Sequence, residues 1–206
     1  MRALLGLLVL LVHVAGAVAP ARGQERVIVA FGDSLTAGLG VPADQTYPAL
    51  LGERLKREGY GYRVVNAGVS GDTTAGGLRR VDWALRLKPE IVILELGVND
   101  ALRGQSLASV RANLDQLVAR FQAAGARVLV AGMRLPPNYG TRYAEDFQRL
   151  FGEVARARNT PHVPFFLEGV GAVPRLNQAD GIHPTAEGYA IVVERLWPYL
   201  APLLRK

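Results

Sequence analysis

From residue 27 to the C-terminus the chain alternates: short apolar runs with strand character are separated by longer stretches with helical spacing. The runs are Val27–Ala30, Tyr62–Asn66, Ile91–Leu96, Arg127–Ala131 and His162–Phe166. The third, Ile91-Val92-Ile93-Leu94-Glu95-Leu96, is almost unbroken, the pattern of a strand buried on both faces of a parallel sheet. Between the runs, apolar residues recur at intervals of three and four, which predicts amphipathic helices. Leu51 and Leu55 mark one, over 47–56, and Leu78, Val81 and Leu85 a second that Asp72 or Thr73 could cap. Val110, Leu114, Leu117 and Phe121 mark a third over 107–123, closed by Gly125. Phe147, Leu150, Phe151 and Val154 mark a fourth, and a last one over 186–200 turns Ile191, Leu196 and Leu200 to the core. Strands alternating with helices imply a five-stranded parallel sheet covered on both sides, with right-handed crossovers. No linker or repeat breaks the pattern, so residues 24–206 are expected to form one α/β domain.

Composition narrows the chemistry. The chain has no cysteine, which excludes disulfides, thiolate nucleophiles and cysteine-ligated zinc. Histidine is limited to His13, His162 and His183. The net charge of +6 comes from scattered Arg and Lys with no long run. That reads as a solvated surface, compatible with peripheral contact with an anionic membrane face or an acidic substrate, and not as nucleic-acid binding. Residues 1–23 have the layout of a secretory signal peptide: Met1-Arg2, an apolar core over Leu4–Val14, then small residues, with cleavage expected after Ala21 or Gly23. The other reading is an uncleaved N-terminal anchor. Cleavage makes the protein periplasmic or secreted and removes His13. Nothing in the sequence demands an oligomer, and a monomer is expected.

In a parallel sheet the loops after successive strands emerge on one edge, where open α/β sheets keep their chemistry. The loop after the first strand carries Phe31-Gly32-Asp33-Ser34, that after the second Gly68, and that after the third Asn99. The turn Asp180-Gly181-Ile182-His183 enters after the fifth. Each residue type meets a need of acyl transfer. A serine hydroxyl requires an adjacent base, and imidazole can take its proton and return it to the leaving group. His183 is the expected base; His162, at the start of an apolar strand, reads as structural. Asp180 can turn back to fix the imidazole tautomer. The N–H groups of Ser34 and Gly68 and the carboxamide of Asn99 can receive an oxyanion. Taken one at a time, Ser34 could be a helix cap or turn residue, Asp180 a turn residue, Gly68 a turn glycine needing positive φ and Asn99 a strand-end turn; their joint placement favours catalysis. The scheme needs no metal or organic cofactor.

Gly32-Asp33-Ser34, Gly68 in NAGVSGDT, Asn99 in GVND, and Asp180 with His183 in DGIHP resemble the four sequence blocks of the SGNH, or GDSL, hydrolase family, in order. MRLPPNYG at 133–140 and Pro164-Phe165-Phe166 are similar to its secreted bacterial thioesterase, lysophospholipase and arylesterase branch. The resemblance implies a flavodoxin-like three-layer α/β/α fold, with Ser34, Gly68, Asn99 and His183 as functional residues and Asp180 orienting His183. It also implies hydrolysis of fatty-acyl esters, acyl thioesters and lysophospholipids through an acyl-enzyme. Apolar loops over Leu135–Tyr139 and Phe165–Val173 could line an acyl groove or simply cover the sheet edge. Two alternatives stand beside this: a carbohydrate or short-chain acetyl esterase of the same family, and a flavodoxin-like binding module without chemistry.

Overall fold

The structure, a computed structural model, describes residues 25–206; the expected signal peptide, with His13, lies outside the described residues. Five strands form one parallel sheet: β1 (Arg26–Gly32), β2 (Tyr62–Gly68), β3 (Ile91–Glu95), β4 (Arg127–Ala131) and β5 (His162–Val163), in the order β2-β1-β3-β4-β5. Seven α-helices connect or flank them: α1 (Ser34–Ala37), α2 (Tyr47–Arg57), α3 (Thr74–Arg86), α4 (Val98–Leu102), α5 (Leu107–Ala123), α6 (Thr141–Ala157) and α7 (Ala186–Leu200). Helices α3, α5 and α6 pack side by side on one face and α2 against α7 on the other, which gives the three layers expected. Among the described residues no helix is long and apolar enough to cross a membrane.

The central strands are apolar because both faces are covered. Every residue of β3 is buried, and so are Val27 to Gly32 of β1. Phe31 meets Phe121 of α5 edge to face, with centroids 5.3 Å apart. Gly77 lets α3 lie close to the sheet, since a Cβ there would come within 2.6 Å of Leu96 Cδ1.

The local structure departs from the sequence expectation at several points, among them β1, which runs on through Phe31 and Gly32. β5 ends at Val163 rather than at Phe166, because Pro164 has no N–H to continue the ladder; after Gly132 N–H to Val163 O at 2.8 Å the next backbone bond skips to Phe166 N–H on Gly132 O at 2.7 Å. β2 runs on to Gly68, so Gly68 is a strand residue paired with Gly32 and not part of a loop. Asn99 lies in the short helix α4 rather than in a plain turn. Ile191 on α7 is half-buried, whereas Tyr189, Val192, Val193, Leu196 and Leu200 carry the core contact.

The order β2-β1-β3 sends the chain to opposite sides of β1. That leaves a crevice at the C-terminal ends of β1 and β3, the place where such sheets bind ligands.

Candidate active site

The site is built from the end of β1. Asp33 caps α1, its Oδ1 accepting the N–H of Leu35 at 3.0 Å, and Gly38 in the left-handed region ends the helix after one turn. Ser34 is thus the first helical residue, and its N–H has no intrahelical acceptor. Gly32 is required by close approach: a Cβ there would lie 2.0 Å from Thr36 Oγ1 and 2.6 Å from Glu95 O.

The partner of Ser34 arrives from 149 residues away. His183 Nε2 lies 2.8 Å from Ser34 Oγ, and His183 Nδ1 lies 2.7 Å from Asp180 Oδ2. A carboxylate at Nδ1 assigns the ring proton to that nitrogen and leaves the Nε2 lone pair for the serine O–H. The turn that presents the ring is tied down locally. Gly181 adopts φ +70, and Asp180 Oδ1 accepts the N–H groups of both Ile182, at 2.9 Å, and His183, at 3.0 Å. These backbone N–H groups, His183 first, and then the His183 ring hold the Asp180 carboxyl down at about 2. Gln178 joins the turn to the loop after α1, its Nε2 donating to Leu39 O at 2.7 Å and to Pro184 O at 3.1 Å.

Two further groups complete the cluster. Asn99 Nδ2 donates one N–H to Asp33 Oδ2 at 2.9 Å, so the other hydrogen of the carboxamide remains for a ligand. Gly68 packs under α1, where a Cβ would come within 2.1 Å of Ala37 N and 2.6 Å of Thr36 C. The need for glycine here is close backbone approach and not positive φ. The Gly68 N–H donates to Asn66 Oδ1 at 3.0 Å in the free site, so an incoming oxyanion has to displace that carboxamide. Ser34, Asp180 and His183 are therefore joined in one hydrogen-bonded chain, and Asn99 and Gly68 border it through Asp33 and α1. His162 sits apart on β5 beside α6, half-buried, its pKa lowered by burial and by Arg156.

One residue was missed from the sequence. Glu95, fully buried at the end of β3, reaches Thr36 and the Asp33 N–H beneath the nucleophile. Its signal was a lone acid inside an apolar run. Of the two readings of the apolar loops, the buried Leu135, Phe166, Leu167 and Val170 fit the one in which they cover the sheet edge, although Tyr139 at the end of the first loop is exposed; the apolar side chains left exposed next to the site residues are Leu39, Val69 and Ile182, each at least 46% accessible. Val69 follows Gly68 directly and Ile182 precedes His183.

A serine–imidazole–carboxylate chain at the C-terminal edge of a doubly wound parallel sheet defines a hydrolase of the serine type. The chain belongs to the GDSL-like Lipase/Acylhydrolase family, which it matches over residues 30–191. It is 49% identical over 184 residues to Esterase TesA of Pseudomonas aeruginosa, spanning 89% of this chain and 92% of that one. To the Thioesterase 1/protease 1/lysophospholipase L1 of Escherichia coli it is 37% identical over 178 residues, spanning 86% and 84%. A crystal structure of TesA superposes with a TM-score of 0.85 at 50% identity, covering 87% of this chain and all of that one.

Proposed function

We propose that this serine hydrolase cleaves fatty-acyl esters and acyl thioesters, lysophospholipids among them, with Ser34 as nucleophile, His183 as general base and acid, Asp180 as the orienting carboxylate, and Ser34, Gly68 and Asn99 as oxyanion donors. The observation that carries the reading is the unbroken chain Ser34–His183–Asp180, at 2.8 and 2.7 Å. His183 Nε2 takes the Ser34 proton as Oγ attacks the acyl carbon, and Asp180 stabilises the imidazolium that results. The carbonyl oxygen gains negative charge and is received by the Ser34 and Gly68 N–H groups and the free hydrogen of Asn99 Nδ2. Collapse expels the alcohol or thiol, protonated by His183, and leaves an acyl-Ser34 ester. Water, deprotonated by His183, attacks that ester and releases the carboxylic acid.

The acyl-chain assignment rests on Leu39, Val69 and Ile182, three exposed apolar side chains that rim a polar centre, together with relatives named for thioesterase and lysophospholipase activity. A monomer acting outside the cytoplasm, in passing contact with lipid, fits the expected leader and the positive net charge. Hydrolysis of p-nitrophenyl esters across acyl lengths tests the substrate class. Activity extending to octanoyl and longer chains is expected; an optimum at acetyl with nothing above butyryl would establish the short-chain acetyl esterase instead.

A further inference from the structure

Glu95 and Asp33 form a pair of fully buried carboxyl groups directly behind the nucleophile, and neither has an arginine or lysine partner among the described residues. Two adjacent carboxylates in an apolar interior cannot both stay charged, so the pair must hold a proton between them. The hydrogen bonds say where. Both oxygens of Asp33 accept N–H groups, Oδ1 from Leu35 at 3.0 Å and Oδ2 from Asn99 at 2.9 Å, the environment of an anion. Glu95 differs. Its Oε2 accepts from Thr36 Oγ1 at 2.9 Å and from the Asp33 N–H at 3.3 Å, whereas Oε1 is buried with no donor against it. A carboxylate oxygen would leave that position costly; a carboxyl O–H fits it.

The other groups facing Glu95 are Thr36, Tyr47 and Tyr189. Tyr47 OH lies 3.2 Å from Thr36 Oγ1, and Tyr189 OH is buried without a partner. None of them supplies positive charge. Burial and then the charge of Asp33 drive the Glu95 pKa well above the usual carboxylate range, while burial lifts Asp33 only to about 6, hydrogen bonds from Leu35, Glu95 and Asn99 and the charge of His183 opposing the rise.

We propose that Glu95 is a positioning residue kept as a neutral carboxylic acid, which donates a hydrogen bond to the Asp33 carboxylate and so fixes the Asn99 carboxamide with its second N–H turned to the oxyanion. The proposal rests on the oxyanion role proposed above for Asn99. Glu95 touches no reacting atom: it acts through Asp33 on Asn99, and its removal weakens transition-state stabilisation without weakening substrate binding.

The test compares four variants by kcat and KM on one p-nitrophenyl ester, with thermal unfolding of each as a check on folding. Glu95→Gln cannot ionise, yet it retains a donor for Asp33 and an acceptor for Thr36, so kcat is expected within about threefold of the parent. Glu95→Ala is expected to lower kcat about 10-fold or more at nearly constant KM, and Asn99→Ala on the order of 10² to 10³. In the double variant Glu95→Ala/Asn99→Ala, kcat is expected to equal that of Asn99→Ala alone, because Glu95 has lost the group it positions. Glu95→Gln as impaired as Glu95→Ala would overturn the neutral-acid assignment. Independent, multiplying effects in the double variant, with Asn99→Ala still severe, would overturn the route through Asn99 and leave its oxyanion role standing. An unchanged kcat in Asn99→Ala would remove both.

Discussion

Asp180 bears a charge that its own turn makes hard to remove. Two backbone N–H groups and the His183 ring converge on its carboxylate and hold it down at about 2, although the side chain is partly exposed. A carboxyl with a lowered folded-state pKa contributes its interaction fully above the unfolded value near ~4 and loses it only as the pH falls through about 2. Asp180 therefore stays anionic throughout the range in which an esterase is assayed. Asp180 itself is expected to contribute no ionisation between pH 4 and 7, and Asp180→Asn should lower kcat on the order of 10²-fold or more through loss of the correct imidazole tautomer. An Asp180 carboxyl carbon seen to titrate within that window by NMR would contradict this. The five candidate site residues could be picked out in the sequence because each stands next to a strand end or in a short polar turn. Glu95 was not: one acid inside Ile91–Leu96 is swamped by its apolar neighbours, and only burial on both faces of β3 shows that it must be paired or neutral.

The site depends on how the ends of β1 and β2 are held together. Arg80 on α3 does this: its Nη2 donates to Gly32 O at 2.9 Å, its Nη1 to Ala67 O at 2.8 Å and its Nε to Asp72 Oδ2 at 2.7 Å, and the guanidinium lies 3.9 Å above the Phe31 ring. Gly32 immediately precedes Asp33, and Ala67 precedes Gly68, so one planar fork sets both strand exits. Lysine keeps the charge and loses the fork. Arg80→Lys is expected to lower stability by about 1–3 kcal/mol, read from the urea midpoint, and to reduce kcat as Ser34 and Gly68 lose their register. A variant with parental stability and kcat would show that the clamp has no such function. The long helices were legible because a seventeen-residue amphipathic stretch such as α5 repeats its pattern several times. The five-residue α4 spans little more than one turn and leaves no period to detect. The truncation of β5 was written in Pro164, whose missing N–H matters only once the pairing with β4 is known.

The strand order explains why so small a set of residues can come from so far apart in the chain. Moving to β2 on one side of β1 and to β3 on the other opens the crevice, and α7 with the turn before it closes the chain back over the same edge. The alternation of runs in the sequence implied a parallel sheet and a common edge. It did not fix which loops form the rim, since Phe166, Leu167 and Val170 look alike in sequence whether they line a groove or fill a core. That this arrangement activates one serine is checked by treating the protein with a fluorophosphonate and locating the adduct by mass spectrometry. One adduct per chain is expected, on Ser34, absent in Ser34→Ala and strongly slowed in His183→Ala. Labelling at another residue, or ester hydrolysis undiminished in Ser34→Ala, would show that Ser34 is not the nucleophile.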